Sequence, residues 1–219
     1  TLWHTLSLHD ALPISPGLVK LRLTAYAENG NKQRVESRMD HYIEELERRV
    51  PEYIFGRDKD TVAKAIQDLF QSRGFTLAAA ESCTGGLIAH EITAIPGSSG
   101  HFLGSLVTYS NEAKMEILGV TRESLENYGA VSEQVVREMA EGARFRLKAD
   151  YAISTSGVAG PDGGSEEKPV GTVWVAIAGP TKTITKLLKL GRSRDRNIRI
   201  SMLSALNWLR TEIISGTFE

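Results

Sequence analysis

The fold of this chain is decided by a stretch that runs Leu77-Ala78-Ala79-Ala80-Glu81-Ser82-Cys83-Thr84-Gly85-Gly86. It follows a short apolar segment, and residues 87–92 after it carry apolar side chains at helical spacing, so the sequence predicts a strand, a tight turn and a helix. Open α/β sheets bind ligands at such strand-to-helix turns. Free N–H groups and the helix dipole there favour an anion by roughly 0.3–2 kcal/mol, and Gly85 and Gly86 allow a ligand to approach closely. An ordinary capped turn is the alternative interpretation.

Length and composition limit the classes of protein to consider. The 219 residues allow one domain with an appendage or two small domains, and an apolar content of 41% is enough for a core. A formal net charge of −1 gives no broad attraction to nucleic acid or to an anionic membrane. A single cysteine excludes an internal disulfide and fits a reducing cytosol. No apolar run reaches the ~18 residues that span a bilayer, and no cluster has the ligand spacing of zinc.

The first quarter of the chain predicts little structure of its own. Residues 1–15 have no clear period and resemble the translated read-through of a sequencing adapter, so we assign them neither fold nor function. Residues 16–57 predict one half-buried strand at 18–26, an amphipathic helix at 34–50 and a linker. One strand and one helix cannot bury a core alone. We therefore expect a fragment of a longer chain, with the beginning of this domain missing.

Residues 58–216 predict the main domain, in which strands alternate with helices. The predicted helices lie at 62–70, 84–93, 112–118, 122–128, 133–147 and 194–213, and the predicted strands at 75–80, 102–109, 151–156, 171–178 and 182–190. Alternation of this kind predicts a sheet with helices on both faces. Because the last two strands are close enough for a hairpin, we expect the sheet to be mixed.

A second stretch that could carry chemistry is Thr108-Tyr109-Ser110-Asn111-Glu112-Ala113-Lys114, at another predicted strand end. Tyr109 and Lys114 are close enough in sequence to face one site. A lysine acts as a base only if its pKa falls from ~10.4 toward 7, which burial or a nearby cation can bring about. A solvated helix lysine beside a tyrosine at the core edge is the alternative.

Two further stretches are candidates for binding a ligand. The glycine-rich loop within residues 154–164 follows an apolar strand and offers N–H groups to an anion, although its Pro161-Asp162-Gly163-Gly164 portion alone is ordinary turn chemistry. Residues 192–199 place four arginines at the start of the last helix, against the helix dipole. Such a run is usually a solvated face, but it also suits a clamp for phosphate or carboxylate.

Two residues of these stretches, Ser82 and Cys83, are candidates for a nucleophile. No histidine lies in them, so a Ser-His-Asp triad is excluded there, while a serine nucleophile with a lysine base stays open. Cys83 is the sole thiol and lies beside Ser82. We interpret it as a small buried filler rather than as the nucleophile.

As a set, the motifs resemble one family. They are Glu81-Ser-Cys-Thr-Gly-Gly86, Tyr109-Ser-Asn-Glu-Ala-Lys114, Gly129-Ala-Val-Ser132, Gly157-Val-Ala-Gly-Pro-Asp-Gly-Gly164, Lys168-Pro-Val-Gly-Thr-Val173 and Asp195-Arg196-Asn-Ile-Arg199. In order and in spacing they resemble the C-terminal domain of CinA, the competence/damage-inducible protein, also known as the PncC nicotinamide-nucleotide amidase. The resemblance covers about residues 60–213. Residues 16–56 resemble the tail of the KH-like middle domain of full-length CinA, whose N-terminal nucleotide-binding domain is absent here.

The resemblance implies both a fold and a reaction. The fold is a three-layer α/β/α sandwich with a mixed, mostly parallel sheet, preceded by a small incomplete α+β segment. The reaction is hydrolysis of the carboxamide of nicotinamide mononucleotide to nicotinate mononucleotide and ammonia, in pyridine-nucleotide salvage. It needs no cofactor and no metal, and it implies a cytoplasmic homodimer without nucleic-acid or membrane partners.

The resemblance also implies roles for particular residues. Ser82 is the expected nucleophile, and Tyr109 and Lys114 are the expected pair that handles its proton. The expected substrate contacts are Glu81, Thr84, Gly85, Gly86, Thr155, Gly157, Gly160, Arg196 and Arg199. Two other functions are weighed against the amidase. A non-catalytic nucleotide-binding or regulatory module would not need the nucleophile or the base, and a DNA-handling protein fits poorly with the balanced charge.

Overall fold

The structure of the protein, a computed structural model, describes residues 7–8, 12–26 and 31–219. The chain divides into two compact units, Thr1–Phe55 and Gly56–Glu219. The division falls two residues before the boundary predicted from sequence. No helix among the described residues is long and apolar enough to cross a membrane.

The described residues of the first unit form short strands and one helix. They are β1 (Ser7–Leu8), β2 (Leu12–Ser15), β3 (Leu18–Lys20), β4 (Leu23–Thr24) and α1 (Lys32–Arg49). β1 pairs with β4 and β2 pairs with β3, both antiparallel. The single strand predicted at 18–26 is therefore two shorter strands. A hairpin turn at Gly17, whose φ is +86°, also gives structure to part of the stretch left unassigned. The helix α1 buries none of its side chains.

The second unit alternates helices and strands much as predicted. Its helices are α2 (Val62–Arg73), α3 (Leu87–Thr93), α4 (Asn111–Leu118), α5 (Arg122–Tyr128), α6 (Glu133–Leu147) and α7 (Arg194–Ile214), with a short 3₁₀ helix at Ser98–Gly100. Its strands are β5 (Leu77–Glu81), β6 (Phe102–Val107), β7 (Tyr151–Gly157), β8 (Thr172–Ala178) and β9 (Thr183–Lys189).

The five strands of the second unit form one mixed sheet in the order β6-β5-β7-β8-β9. β5 lies between β6 and β7 and is parallel to both, whereas β8 is antiparallel to each of its neighbours. The predicted α/β fold with a mixed sheet is thus confirmed. Because β6, β5 and β7 run in the same direction, their carboxyl ends meet at one edge of the sheet, which is where the predicted stretches lie.

Alternation along β5 directs its side chains to two helical layers. Ala78 and Ala80 belong to a buried cluster with Val135, Met139 and Ala143 of α6. Successive side chains of a strand point to opposite faces, so Glu81, the last residue of β5, faces the other layer, where its carboxylate reaches α3. Small alanines let both layers pack close to this strand.

Two helix starts determine the geometry of the site. The helix predicted from residue 84 begins at Leu87, because Gly85 (φ +61°) and Gly86 (φ +100°) adopt left-handed conformations that end the turn. The helix α4 begins beside Ser110, whose side chain accepts a hydrogen bond from the amide of Ala113. This cap fixes the first turn of α4, which carries Lys114.

Candidate active site

The turn between β5 and α3 holds Ser82 at the carboxyl end of the sheet. The Ser82 amide donates to Thr155 O of β7 at 3.0 Å, and the Gly85 amide donates back to Ser82 O at 3.1 Å. The side chain of Ser82 is 9% exposed. Both hydrogen bonds fix the backbone on either side of the hydroxyl, so the turn presents it in a defined direction.

Lys114 reaches the same hydroxyl from α4. It is 1% exposed, and its Nζ lies 3.2 Å from Ser82 Oγ, 2.9 Å from Thr108 O and 3.3 Å from Tyr109 O. Burial lowers the pKa of this lysine below its ordinary value of 10.5, with a smaller opposing effect from Cys83. The structure therefore brings the predicted nucleophile and the predicted base into hydrogen-bond contact.

The surroundings of Lys114 suit a neutral amine that accepts a proton. A neutral amine has two N–H groups and one lone pair. In the structure Lys114 Nζ donates to Ser82 Oγ, Thr108 O and Tyr109 O. A neutral amine would keep its two N–H groups for the carbonyls and could turn its lone pair toward the Ser82 hydroxyl. The arrangement has the contact that a serine nucleophile with a lysine base requires.

The neighbouring thiol is unsuited to be the nucleophile. Cys83 is buried, and burial raises the pKa of its thiol to about 12. A hydrogen bond from its own backbone N–H opposes this rise, as do Lys114 and Arg194 to a smaller extent, while Glu81 acts in the same direction as burial. The thiolate is the reactive form of cysteine. At neutral pH this side chain stays protonated, in agreement with its interpretation as a buried filler.

The start of α3 is occupied by a side chain of the protein itself. Glu81 accepts hydrogen bonds from the amides of Gly86, Ile88 and Ala89, each at 3.0 Å. These are the N–H groups that the sequence offered to an external anion. Glu81 itself, predicted as a substrate contact, has no exposed surface.

Two backbone N–H groups of the turn, those of Cys83 and Thr84, are not used in the backbone-to-backbone hydrogen bonds described so far. Within the described part of the chain, they donate to no backbone carbonyl. They directly follow Ser82 in the turn. An oxyanion formed on attack by Ser82 needs such donors, fixed in advance.

Tyr109 and Arg194 form the outer part of the site. Tyr109 is 61% exposed, and its hydroxyl accepts a hydrogen bond from Arg194 Nη2 at 3.1 Å. Arg194 Nη1 donates to Gly160 O at 2.9 Å. Arg194 thus joins the first turn of α7 to two of the predicted stretches. The sequence flagged the arginine run that contains it, but the residues selected there were Arg196 and Arg199.

The other predicted arginines are placed differently. Arg196 and Arg199 are exposed and make no hydrogen bond or ion pair to a residue that the structure describes. Asn197, which sequence reasoning missed, is buried and donates to Ala159 O at 2.9 Å and to Gly191 O at 2.8 Å. The helical phase of α7, rather than residue type, decides which side chains of the run reach the loop.

The remaining predicted substrate contacts take part in packing. Thr84 and Thr155 are buried and hydrogen-bond each other through their hydroxyls at 2.7 Å. A Cβ at Gly157 would lie 2.6 Å from Val173 Cγ2, and one at Gly160, where φ is +89°, would lie 2.5 Å from a Val170 methyl. These two glycines let the loop after β7 lie against its neighbours. Among the described residues, no group of three or more His, Cys, Asp or Glu side chains is placed to hold a metal ion.

The second unit is thus a three-layer α/β domain with a buried Ser–Lys pair at the edge where its parallel strands end. The model of the family described as the CinA C-terminal domain matches residues 59–213. The chain belongs to this family.

Curated relatives and solved structures agree with this membership. The chain is 41% identical over 199 residues to a CinA-like protein of Cytophaga hutchinsonii, covering 91% of this chain and 47% of the relative. It is 45% identical over 204 residues to a CinA-like protein of Prochlorococcus marinus strain MIT 9215, covering 92% and 48%. The chain therefore spans about half the length of these relatives.

Two crystal structures show the same architecture. The competence/damage inducible protein CihA of Agrobacterium tumefaciens has a TM-score of 0.68 and 39% identity, with 72% of this chain and 97% of that one covered. A CinA superfamily protein of Escherichia coli has a TM-score of 0.66 and 32% identity, with 74% and 98% covered. The similarity covers nearly the whole of each solved chain and about three quarters of this one.

Proposed function

We propose that the second unit hydrolyses the carboxamide of nicotinamide mononucleotide to nicotinate mononucleotide and ammonia. The observation that carries the proposal is the contact of 3.2 Å between Lys114 Nζ and Ser82 Oγ, at a buried lysine whose pKa is lowered. A serine made nucleophilic by an adjacent base suits acyl transfer from an amide. The identity of the substrate follows from the family resemblance of the sequence.

The first half of the reaction forms an acyl-enzyme. Neutral Lys114 takes the hydroxyl proton while Ser82 Oγ attacks the carboxamide carbon. The developing oxyanion accepts hydrogen bonds from the amides of Cys83 and Thr84. One such donor is worth roughly 3–4 kcal/mol in other enzymes. Lys114 then gives its proton to the leaving nitrogen, the C–N bond breaks, and ammonia departs to leave an ester on Ser82.

The second half returns the enzyme to its starting state. Lys114 is neutral again after ammonia leaves, so it can take a proton from water as that water attacks the ester carbon. Collapse of the second tetrahedral intermediate breaks the bond to Ser82 Oγ, and Lys114 returns the proton to the serine. The product leaves as the carboxylic acid and gives its remaining proton to solvent to become nicotinate, and no external oxidant or reductant is needed.

The outer residues suit the phosphate of the nucleotide. Arg194 is exposed and already bridges Tyr109 and the loop after β7. A guanidinium recognises phosphate through paired N–H groups. Since Glu81 fills the start of α3, the phosphate has no place there and is assigned to the Arg194 side of the site. Arg196 and Arg199 are further candidates on the same helix.

The rival function is a nucleotide-binding module without catalysis. Such a module has no need of a lysine that is nearly inaccessible to solvent, since burying an amine without an ionic partner is unfavourable. The retained Ser82–Lys114 contact therefore favours the enzyme. The proposal includes a cytoplasmic homodimer and no nucleic-acid partner, as the resemblance implies, and light scattering of the purified protein tests the dimer.

Ammonia release from nicotinamide mononucleotide by purified protein in EDTA tests the proposed function. Ser82→Ala, prepared in parallel, is the matched control for contaminating amidases. We expect release by the wild type and, in the variant, a rate lower by about three decades or more. Binding of the nucleotide by calorimetry without any ammonia would instead favour the rival module. Turnover that EDTA abolishes and one divalent ion restores would contradict the metal-free mechanism.

A further inference from the structure

Glu81 is a fully buried carboxylate that accepts four hydrogen bonds from the protein. One oxygen accepts from the amides of Gly86 and Ile88, and the other accepts from the amide of Ala89 and the hydroxyl of Ser105, all at 3.0 Å. Its relative exposure is 0%. Every one of its partners is a donor, so the side chain is saturated as an acceptor and has no direction left from which to meet a substrate.

We propose that Glu81 is a positioning residue for Ser82, an internal anion that fixes the nucleophile turn and the start of α3. The inference rests on the proposed function and changes the role that the sequence suggested, from substrate contact to support. A helix of seven residues is too short to be stable by itself. Three of its first free N–H groups are held instead by a negative charge at the positive end of the helix.

The backbone of Glu81 connects the same support to the base. Its carbonyl accepts from the Thr108 amide at 2.9 Å, and the carbonyl of Thr108 in turn accepts from Lys114 Nζ. The next residue, Ser82, donates its amide to Thr155 on the other side of β5. The backbone of Glu81 is therefore linked both to Ser82 and, through Thr108, to Lys114. If Glu81 moves, we expect the distance of 3.2 Å between Ser82 Oγ and Lys114 Nζ to change.

The pattern of donors requires a carboxylate and not its amide. In Glu81→Gln one oxygen becomes an NH₂ group, which cannot accept from the N–H groups that now point to it. If the NH₂ group replaces the oxygen near Ser105, the hydroxyl can turn to accept, but the Ala89 amide still faces a donor. If the NH₂ group replaces the other oxygen, the amides of Gly86 and Ile88 both face a donor. A nearly isosteric change thus leaves at least one buried donor unpaired, which loosens the turn.

Steady-state kinetics and amide hydrogen exchange of Glu81→Gln test the inference. Glu91→Gln, the same chemical change made on α3 itself, is the matched control. We expect kcat of Glu81→Gln to fall about 10- to 100-fold with KM nearly unchanged, as expected of misplaced groups. Amides 86, 88 and 89 should exchange at least about tenfold faster. The control should stay within about twofold of the wild type, because the side chain of half-buried Glu91 makes no hydrogen bond or ion pair with a described residue.

Hydrogen exchange needs no substrate, so it separates this inference from the proposed function. Faster exchange in Glu81→Gln, with a wild type that releases no ammonia, would reject the amidase and keep the anchoring role. Unchanged exchange, or faster exchange with unchanged kcat in an active protein, would overturn the inference. If Glu81→Gln fails to fold, Ser105→Ala is measured instead, because it removes one of the four hydrogen bonds to the Glu81 carboxylate. We expect a lower kcat, and a kcat equal to that of the wild type would overturn the proposal.

Discussion

The loops after β5 and β7 end neighbouring parallel strands, yet they are held in opposite ways. The turn of residues 82–86 is held by its own strand, through Glu81, and its hydroxyl contacts a buried lysine. The loop after β7 is exposed from 161 to 167 and is held by side chains of a distant helix, Arg194 and Asn197, which donate to its carbonyls. The turn that carries Ser82 is thus anchored by the last residue of its own strand, while the loop after β7 depends on side chains of α7.

The largest expected effect comes from breaking the β5 side of this comparison. Ser82→Ala and Lys114→Met should each lower kcat by several decades, since one lacks the nucleophile and the other its base. Both variants should remain folded, and the double variant should be hardly worse than either single one, because the two groups act as one unit. Rates of ammonia release with circular dichroism spectra check this. Nearly full activity in both single variants would leave attack by an activated water as the mechanism.

Breaking the β7 side should change binding more than chemistry. Arg194→Gln removes the guanidinium from Tyr109 and Gly160 while leaving the Ser82–Lys114 contact in place. We expect KM to rise about 10- to 100-fold, the value of a lost charged hydrogen bond of 1.5–3 kcal/mol, with kcat within a few-fold of wild type. Arg196→Gln, measured beside it, distinguishes the two arginines. A larger KM effect for Arg196→Gln would move the anion site to the exposed residue chosen from sequence.

The same difference explains what the sequence could predict. The sequence could place Ser82 and Lys114 at strand ends because each follows its strand closely, and the family resemblance implied their roles. The role of Glu81 depends on how the start of α3 folds back over the last residue of β5, so a buried anchor resembled a substrate contact. Arg194, Arg196 and Arg199 are equivalent as residue types, and only the phase of α7 distinguishes them.

Changing pH sharpens the assignment of the base. Only neutral Lys114 accepts a proton, so kcat should rise with pH, by up to about tenfold per unit, toward a plateau that begins below pH 10.5 because burial lowers the pKa of Lys114. The same lowered pKa predicts how stability depends on pH. Between the pKa of Lys114 in the folded protein and 10.5, the unfolded chain binds more protons than the folded one. The free energy of unfolding should therefore rise with pH in that window, relative to Lys114→Met. Urea unfolding of both proteins at several pH values measures this difference. A difference that falls with rising pH would contradict a buried lysine with a lowered pKa.

The smallest expected effect lies inside the turn, one residue from the largest. With a pKa of about 12, the Cys83 thiol is ionised in roughly one molecule in 10⁵ at pH 7, too few for a competing nucleophile. Cys83→Ala keeps the backbone amide that the proposed oxyanion uses and removes only a buried sulfur. We expect kcat and KM within about twofold of wild type and a loss of roughly 1 kcal/mol in the free energy of unfolding, from the small cavity. Kinetics and urea unfolding measure both. An inactive Cys83→Ala beside an active Ser82→Ala would move the nucleophile by one residue, because the two side chains share the turn and the contact of Ser82 Oγ with Lys114 Nζ is what favours the serine.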